Sequence, residues 1–313
     1  MSKIKAGIIG VGHIGKFHAR ILSESSRAEF AAIYDRDHQA AKKIADEYGA
    51  KQVASLEELA GMVDAATVAT PTPTHFEIGK FLLERGKHLL IEKPITETTE
   101  QAKELVALAH EKKRILQVGH VERFNPVLDV RELHLAPPRF IESHRLSPYP
   151  NRSIEIGVVL DLMIHDLEII LHLTGSRVKS IDAVGLSVLS RGEDMANARL
   201  RFENGCVANI TVSRINPEKV RTIRIFQEHA YIALDYQNQS GEIHRIKDGR
   251  TSRQDLEIER GEPLKREIEA FIQCCIDGVK PKVSGHEAAA ALELAIEITR
   301  LIEEQNGALK HAK

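Results

Sequence analysis

Gly7-Ile8-Ile9-Gly10-Val11-Gly12-His13-Ile14-Gly15 carries an apolar strand through Gly-x-Gly-x-x-Gly into the start of a helix. In such a turn the first glycine lets the chain reverse, the second lets backbone approach a pyrophosphate, and the third lets helix pack closely on strand. The helix N-terminus that follows offers N–H groups to the anion. Glycine-rich turns also arise by chance, so the surrounding chain has to support the reading. The next apolar run, Phe30-Ala31-Ala32-Ile33-Tyr34, does so by ending in Asp35, 20 residues after Gly15. A dinucleotide-binding domain places a carboxylate there to accept from the adenosine ribose hydroxyls. Asp35 repels a 2′-phosphate and favours NAD, while Arg36 beside it leaves NADP open. Gly10, Gly12, His13, Ile14, Gly15, Asp35 and Arg36 are the expected contacts of this cofactor.

From Ile4 to Gly119 apolar runs alternate with amphipathic stretches, the grammar of a parallel sheet with crossing helices. The strand Ala65 to Ala69 delivers Thr70-Pro71-Thr72-Pro73-Thr74-His75, where two prolines block continuation of sheet or helix. Thr70, Pro71, Thr72 and His75 are placed to wall the cofactor, with a plain connection as the competing reading for His75. Another strand, His88 to Ile91, ends in Glu92-Lys93-Pro94. A lysine at the carboxyl end of a parallel strand points into the ligand crevice; a solvated loop lysine is the alternative. Ser55-Leu56-Glu57-Glu58 reads as a capping box. Asn125-Pro126 makes an N-cap and first-turn pair, which sets a domain boundary near His120 and predicts domains 1–120 and 121–313.

Beyond that boundary the strand Phe140 to Leu146 is followed by a polar loop holding Arg145, Tyr149 and Arg152, and then a helix from about Val158 to Leu173. On that helix Asp161, His165, Glu168 and His172 recur at i, i+4, i+7 and i+11 and share one face. A solvated outer face is the bland explanation. An acid four residues before a histidine is also half a metal site, but no further ligand cluster follows and no metal is expected. The strands from Lys179 to Tyr236 show period-two alternation. Ala196, Ala198, Leu200 and Phe202 share a face with Cys206, Ala208, Ile210 and Val212 only if even-numbered residues pair. That requires a three-residue loop Glu203-Asn204-Gly205 with Gly205 left-handed. Helices from about Leu264 to Cys275 and His286 to Glu304 close the chain. The fold class is α/β, a doubly wound parallel sheet followed by an α+β domain with an open, mostly antiparallel sheet, whose outer face suits a homodimer or homotetramer.

Bulk properties narrow the partners. Lys plus Arg (43) nearly balances Asp plus Glu (45), which argues against a nucleic-acid or anionic-membrane surface. The apolar stretch Val158 to Leu173 is interrupted by Asp161, His165, Asp166 and Glu168, so no membrane span is expected, and Met1-Ser2-Lys3-Ile4-Lys5 has no signal-peptide pattern. Cys206 and Cys274-Cys275 have neither metal nor disulfide spacing, which suggests a reducing cytoplasm. Internal repeats are absent.

Gly10-Val11-Gly12-His13-Ile14-Gly15, Glu92-Lys93-Pro94, Gly119 with Arg123-Phe124-Asn125-Pro126, and Asp161 with His165 together resemble the glucose-fructose oxidoreductase / inositol dehydrogenase (Gfo/Idh/MocA) family over essentially the whole chain. The resemblance implies an N-terminal Rossmann domain, a cis bond before Pro94, and NAD-dependent hydride transfer from a sugar hydroxyl. It implies catalytic roles for Lys93, Asp161 and His165: Lys93 at the reacting hydroxyl, Asp161 positioning substrate, and His165 as general acid/base, since an imidazole's ordinary pKa of roughly 6.5 suits transfer near neutrality. Glu168 stands where the family has aspartate, and a single Gly157 replaces its double glycine. The wording around Gly119 and His165 is most similar to members that oxidise the 3-hydroxyl of UDP-N-acetylglucosamine. Arg145, Arg152 and Arg214, read as loop residues beside the substrate, would then supply bidentate donors to a diphosphate, with Arg123 and Glu168 as further substrate contacts; surface ion pairs are the competing reading for the three loop arginines. Inositol or free-sugar dehydrogenases and NAD-dependent glycosidases are the enzyme alternatives. A non-catalytic NAD-binding regulator is disfavoured by the presence of Lys93, Asp161 and His165.

Overall fold

The computed structural model describes residues 3–130, 133, 136–149, 156–247 and 250–311. Two compact units divide the chain, Met1–Val121 with Glu262–Ala289, and Glu122–Gly261 with Ala290–Lys313. In the first unit the order is β1 (Ile4–Ile9), α1 (Gly15–Glu24), β2 (Ala28–Tyr34), α2 (His38–Tyr48), β3 (Lys51–Gln52), α3 (Leu56–Met62), β4 (Ala65–Val68), α4 (His75–Glu84), β5 (His88–Glu92), α5 (Thr99–Glu111) and β6 (Leu116–Gly119). The six strands pair in parallel in the order β3-β2-β1-β4-β5-β6. Every residue of β4 is buried, as a strand covered on both faces requires. The helix ends follow local chemistry. Asp37 accepts from the amides of Gln39 and Ala40 to start α2, and Gly49 at φ +73° ends it. The expected box at Ser55 is only half formed: its hydroxyl accepts from Glu58 N, but the Glu58 carboxylate reaches the amide of Ala54 instead.

The second unit holds β7 (Phe140–Leu146), α6 (Ile164–Thr174), β8 (Val178–Leu186), β9 (Met195–Phe202), β10 (Val207–Ser213), β11 (Val220–Phe226), β12 (Ala230–Asp235), β13 (Ser240–Lys247) and β14 (Arg250–Asp255). They form one eight-stranded sheet in the order β14-β13-β12-β11-β7-β10-β9-β8, antiparallel throughout except where β7 runs parallel to β10. The β9–β10 hairpin pairs Leu200 with Ala208 and Ala198 with Ile210, and Gly205 is left-handed at φ +87°. Even residues therefore pair, as the parity of the apolar positions demands. β13 and β14 were not anticipated; β14 is exposed along its whole length and carries no alternation to read.

The remaining helices are α7 (Pro263–Asp277) and α8 (Gly285–His311). The expectation that 121–313 forms a single domain is corrected here. Ile268, Phe271 and Ile272 of α7 share one buried cluster with Ala6, Ile21, Leu22 and Leu90, so this late segment completes the first unit's core. The later part of α8 packs in the second unit, where a Cβ on Gly185 would come within 2.7 Å of Ile302.

Candidate functional site

Because the strands of the first unit are parallel, the segments following β1, β2, β4 and β5 all leave the same edge of the sheet. β1 and β4 are adjacent while the strand order reverses between them, the place where open α/β sheets bind ligands. Gly10 has φ +89°, and a Cβ there would stand 2.8 Å from the carbonyl oxygen of Ala69. A Cβ on Gly15 would stand 1.9 Å from Gly10 O, so α1 can start here only without a side chain. Gly12 differs: nothing lies within 4 Å of its Cβ position, and the space above it is open to a ligand. His13 and Ile14 lead into α1, whose N-terminal amides point toward that space by helix geometry. Asp35 accepts from Val11 N at 2.7 Å and from Asp37 N at 2.9 Å, one bond on each oxygen. A carboxylate has about four acceptor positions, so capacity remains for ribose hydroxyls. Arg36 beside it is exposed. These residues fit a dinucleotide.

Thr70, Pro71 and Thr72 run from β4 into a short 3-10 turn, Thr72–Thr74, closed by the Thr74 hydroxyl on Thr70 Oγ1 and Pro71 O, both at 2.7 Å. His75, expected to wall the cofactor, is buried inside the unit instead. Its Nδ1 lies 2.9 Å from Pro94 O and its Nε2 2.8 Å from Thr70 O, so both ring nitrogens meet backbone and none is left for a cofactor. The ring ties the Thr70 loop to the cis Lys93–Pro94 bond, which is present as the resemblance implied. Glu92 is held in turn by His18 of α1, with Nε2 at 3.1 Å from Oε1, and by the close approach of Gly119, where a Cβ would stand 2.7 Å from the same oxygen. His18 was missed in the sequence; it falls on the buried side of α1, where a histidine carries no pattern to distinguish it.

In the second unit, Asp161 and His165 lie in a helix that begins as a π-helical turn, Val159–Met163, and continues as α6. Such wide turns recur at functional sites. Asp161 and His165 are both half-buried, whereas Glu168 is buried and His172 exposed, so the expected polar stripe is not a solvated face. Glu168 accepts from Arg123 Nε at 3.1 Å, and both side chains are sealed from solvent. Arg145 lies on β7, not in a loop. It donates from Nε to Asp166 Oδ2 at 2.6 Å, from Nη2 to Asp166 Oδ1 at 3.3 Å, and from Nη1 to Glu122 Oε1 at 2.9 Å. Ser143 Oγ adds a 2.7 Å bond to Asp166. Arg214, directly after β10, is likewise buried: it donates to Asp194 Oδ1 at 3.0 Å and to the carbonyls of Ile156 and Glu193 at 2.8 and 3.0 Å. Arg145 and Arg214 are therefore corrected from loop donors to buried structural cations, and Arg123 joins them, because each is enclosed and hydrogen-bonded to a buried carboxylate. Arg152 lies outside the described residues.

Electrostatics agree with that geometry. Burial alone would push the Glu122 carboxyl up, but Arg145 and Arg221 outweigh it and hold it below its ordinary range. Burial likewise acts to raise Asp194, yet the Ser190 hydroxyl and the amides of Leu189, Ser190 and Val188 bring it well below the usual carboxylate range. Among the described residues no group of three or more His, Cys, Asp or Glu is disposed to hold a metal, and no helix is long and apolar enough to cross a membrane.

Residues 4–120 match the family model described as oxidoreductase family, NAD-binding Rossmann fold, and residues 130–233 match the GFO/IDH/MocA C-terminal domain. UDP-N-acetylglucosamine 3-dehydrogenase of Acidithiobacillus ferrooxidans is 34% identical over 97% of this chain and 100% of its own. Inositol 2-dehydrogenase of Rhizobium meliloti is 27% identical over 96% and 98%. A solved structure of the Acidithiobacillus enzyme superposes with a TM-score of 0.93 at 33% identity, covering 97% of this chain and 99% of that one. The glycine loop with open space at Gly12, the anchored Asp35 and these full-length matches converge: the chain belongs to the GFO/IDH/MocA oxidoreductase family and carries its NAD-binding Rossmann domain.

Proposed function

We propose that the protein oxidises a hydroxyl of a nucleotide-linked sugar, the 3-hydroxyl of UDP-N-acetylglucosamine, with NAD as acceptor. The observation that carries the reading is the 34% identity to a UDP-N-acetylglucosamine 3-dehydrogenase over 97% of this chain and all of that one, with Lys93, Asp161 and His165 all in place. NAD held at Gly10, Gly12, Gly15 and Asp35 would supply the acceptor for the hydride of the carbinol carbon. His165 removes the hydroxyl proton, so that the sugar loses one hydride and one proton in all. Asp161, one π-helical turn ahead of His165, orients the sugar. Lys93 stabilises developing alkoxide, an effect typically worth a few kcal/mol in a water-poor site. Gly10, Gly12 and Gly15 give the pyrophosphate its approach, Asp35 accepts from the adenosine ribose, and Thr70 to Thr72 flank the nicotinamide half.

Lys93→Met and His165→Ala each lower turnover by at least about a hundredfold while leaving NAD affinity within about twofold of wild type. Near-normal turnover of UDP-N-acetylglucosamine by either variant defeats the assignment. A second copy of the chain is the proposed partner of the sheet's outer face, where Val184, Leu186, Phe226 and Ile246 are exposed. A cytoplasmic setting accords with three free thiols, of which Cys206 is pushed up to about 11 by burial and so is unreactive.

A further inference from the structure

With Arg145 and Arg214 enclosed, the cations that could meet an anionic substrate lie elsewhere on the same sheet. Arg221 stands directly across the β7–β11 ladder from Arg145, whose guanidinium holds Asp166, the residue after His165. Alternation along β11 buries Ile223 and Ile225, Arg221 continues the same phase toward the strand's start, and Lys219 directly precedes the strand. Arg221 donates from Nη1 to Glu122 Oε1 at 3.0 Å, but that oxygen is shared with Arg145. The Arg221 side chain is 32% exposed, and its Nε has no hydrogen-bond partner. Lys219 is exposed. The charged groups acting on Lys219 are Arg221, Glu122 and Arg145, two of the three positive, and its ammonium is held below its ordinary range first by Arg221 and then by burial.

Arg221 shares the Glu122 carboxylate with Arg145, which also holds Asp166, so the three cations Lys219, Arg221 and Arg145 face the two carboxylates Glu122 and Asp166. Like charges held together are destabilising unless something of opposite sign completes them. We propose that Lys219 and Arg221 bind the diphosphate group of the substrate, on the sheet face that carries α6 and His165. An ammonium and a guanidinium suit that group, one as a compact point charge and the other as a two-pronged donor. The identity of the diphosphate as part of a nucleotide sugar rests on the function proposed above; inorganic pyrophosphate presents the same chemistry.

Calorimetric titration of the NAD-loaded protein with inorganic pyrophosphate, UDP and uridine separates the two questions. Wild type binds pyrophosphate and UDP, and Lys219→Gln weakens both by about tenfold, the loss of one charge-assisted contact, with uridine affinity unchanged. Lys219 is exposed, and unchanged hydrogen-exchange protection of β7 and α6 verifies that the variant is folded. Pyrophosphate that fails to bind wild type, or that binds Lys219→Gln as tightly, overturns the proposal. Pyrophosphate binding lost in Lys219→Gln, together with no NADH formed from UDP-N-acetylglucosamine, upholds the anion site and removes the substrate assignment alone.

Discussion

Arg145→Met removes a cation from a site that holds two carboxylates out of water. Arg145 is 2% exposed and makes three charge-assisted bonds, two to Asp166 and one to Glu122. Methionine fills most of the volume, so the cost is electrostatic. Asp166 keeps the Ser143 hydroxyl, and Glu122 keeps Arg221 and Asn125. Removing one partner of a buried pair typically costs about 3–5 kcal/mol. At about 1.4 kcal/mol per factor of ten, amides of β7 and α6 that exchange by opening of this unit should exchange about two to three and a half decades faster. The assay is hydrogen exchange by mass spectrometry on peptides covering Phe140–Leu146 and Ile164–Thr174. Asp166→Asn should cost a similar amount, and the double variant less than the sum by at least about 1 kcal/mol, because the two share one interaction. Additive effects, or an Arg145→Met protein with unchanged protection and only a raised KM for the sugar, would refute the structural role and return Arg145 to the substrate.

The two glycines of the nucleotide loop should respond differently. Gly12→Ala meets open space and should fold normally but lose NAD affinity by tenfold or more, whereas Gly15→Ala, 1.9 Å from Gly10 O, should disturb the first unit itself; thermal melts and NAD titration distinguish them. Glu122 and Asp194 have folded pKa values below their ordinary ones, so their stabilisation is complete above about pH 4.5 and is lost as pH falls through the folded values. Urea midpoints should therefore drop steeply below about pH 4, with a shallower drop in Asp194→Asn; parallel profiles would contradict this. Leu186→Glu, placed on the exposed outer face of β8, should lower the molar mass seen by light scattering if a second copy covers that face.

The features legible in the sequence were those where backbone chemistry admits few residues. Gly10 and Gly15 are dictated by contacts under 3 Å, Gly205 by a positive φ, and the β9–β10 register by the parity of its apolar residues. The arginines were misplaced for a physical reason. A charged residue within a strand looks like a surface or site residue unless its partner is known, and the partners of Arg145 and Arg214 lie 20 to 23 residues away in sequence. The i, i+4 spacing of Asp161 and His165 was visible, but the π turn beneath Asp161 leaves no compositional mark. α7 was recognised as a helix, yet only its contacts with Ala6, Leu22 and Leu90 assign it to the first unit.

The central claim is tested by following NADH formation while purified protein is offered UDP-N-acetylglucosamine, free hexoses and inositols in turn. The account predicts NADH from UDP-N-acetylglucosamine in equal amount to a product lighter by two hydrogens, with that activity lost in Lys93→Met and His165→Ala. Turnover confined to inositols, or sugar release without accumulated NADH, would contradict it.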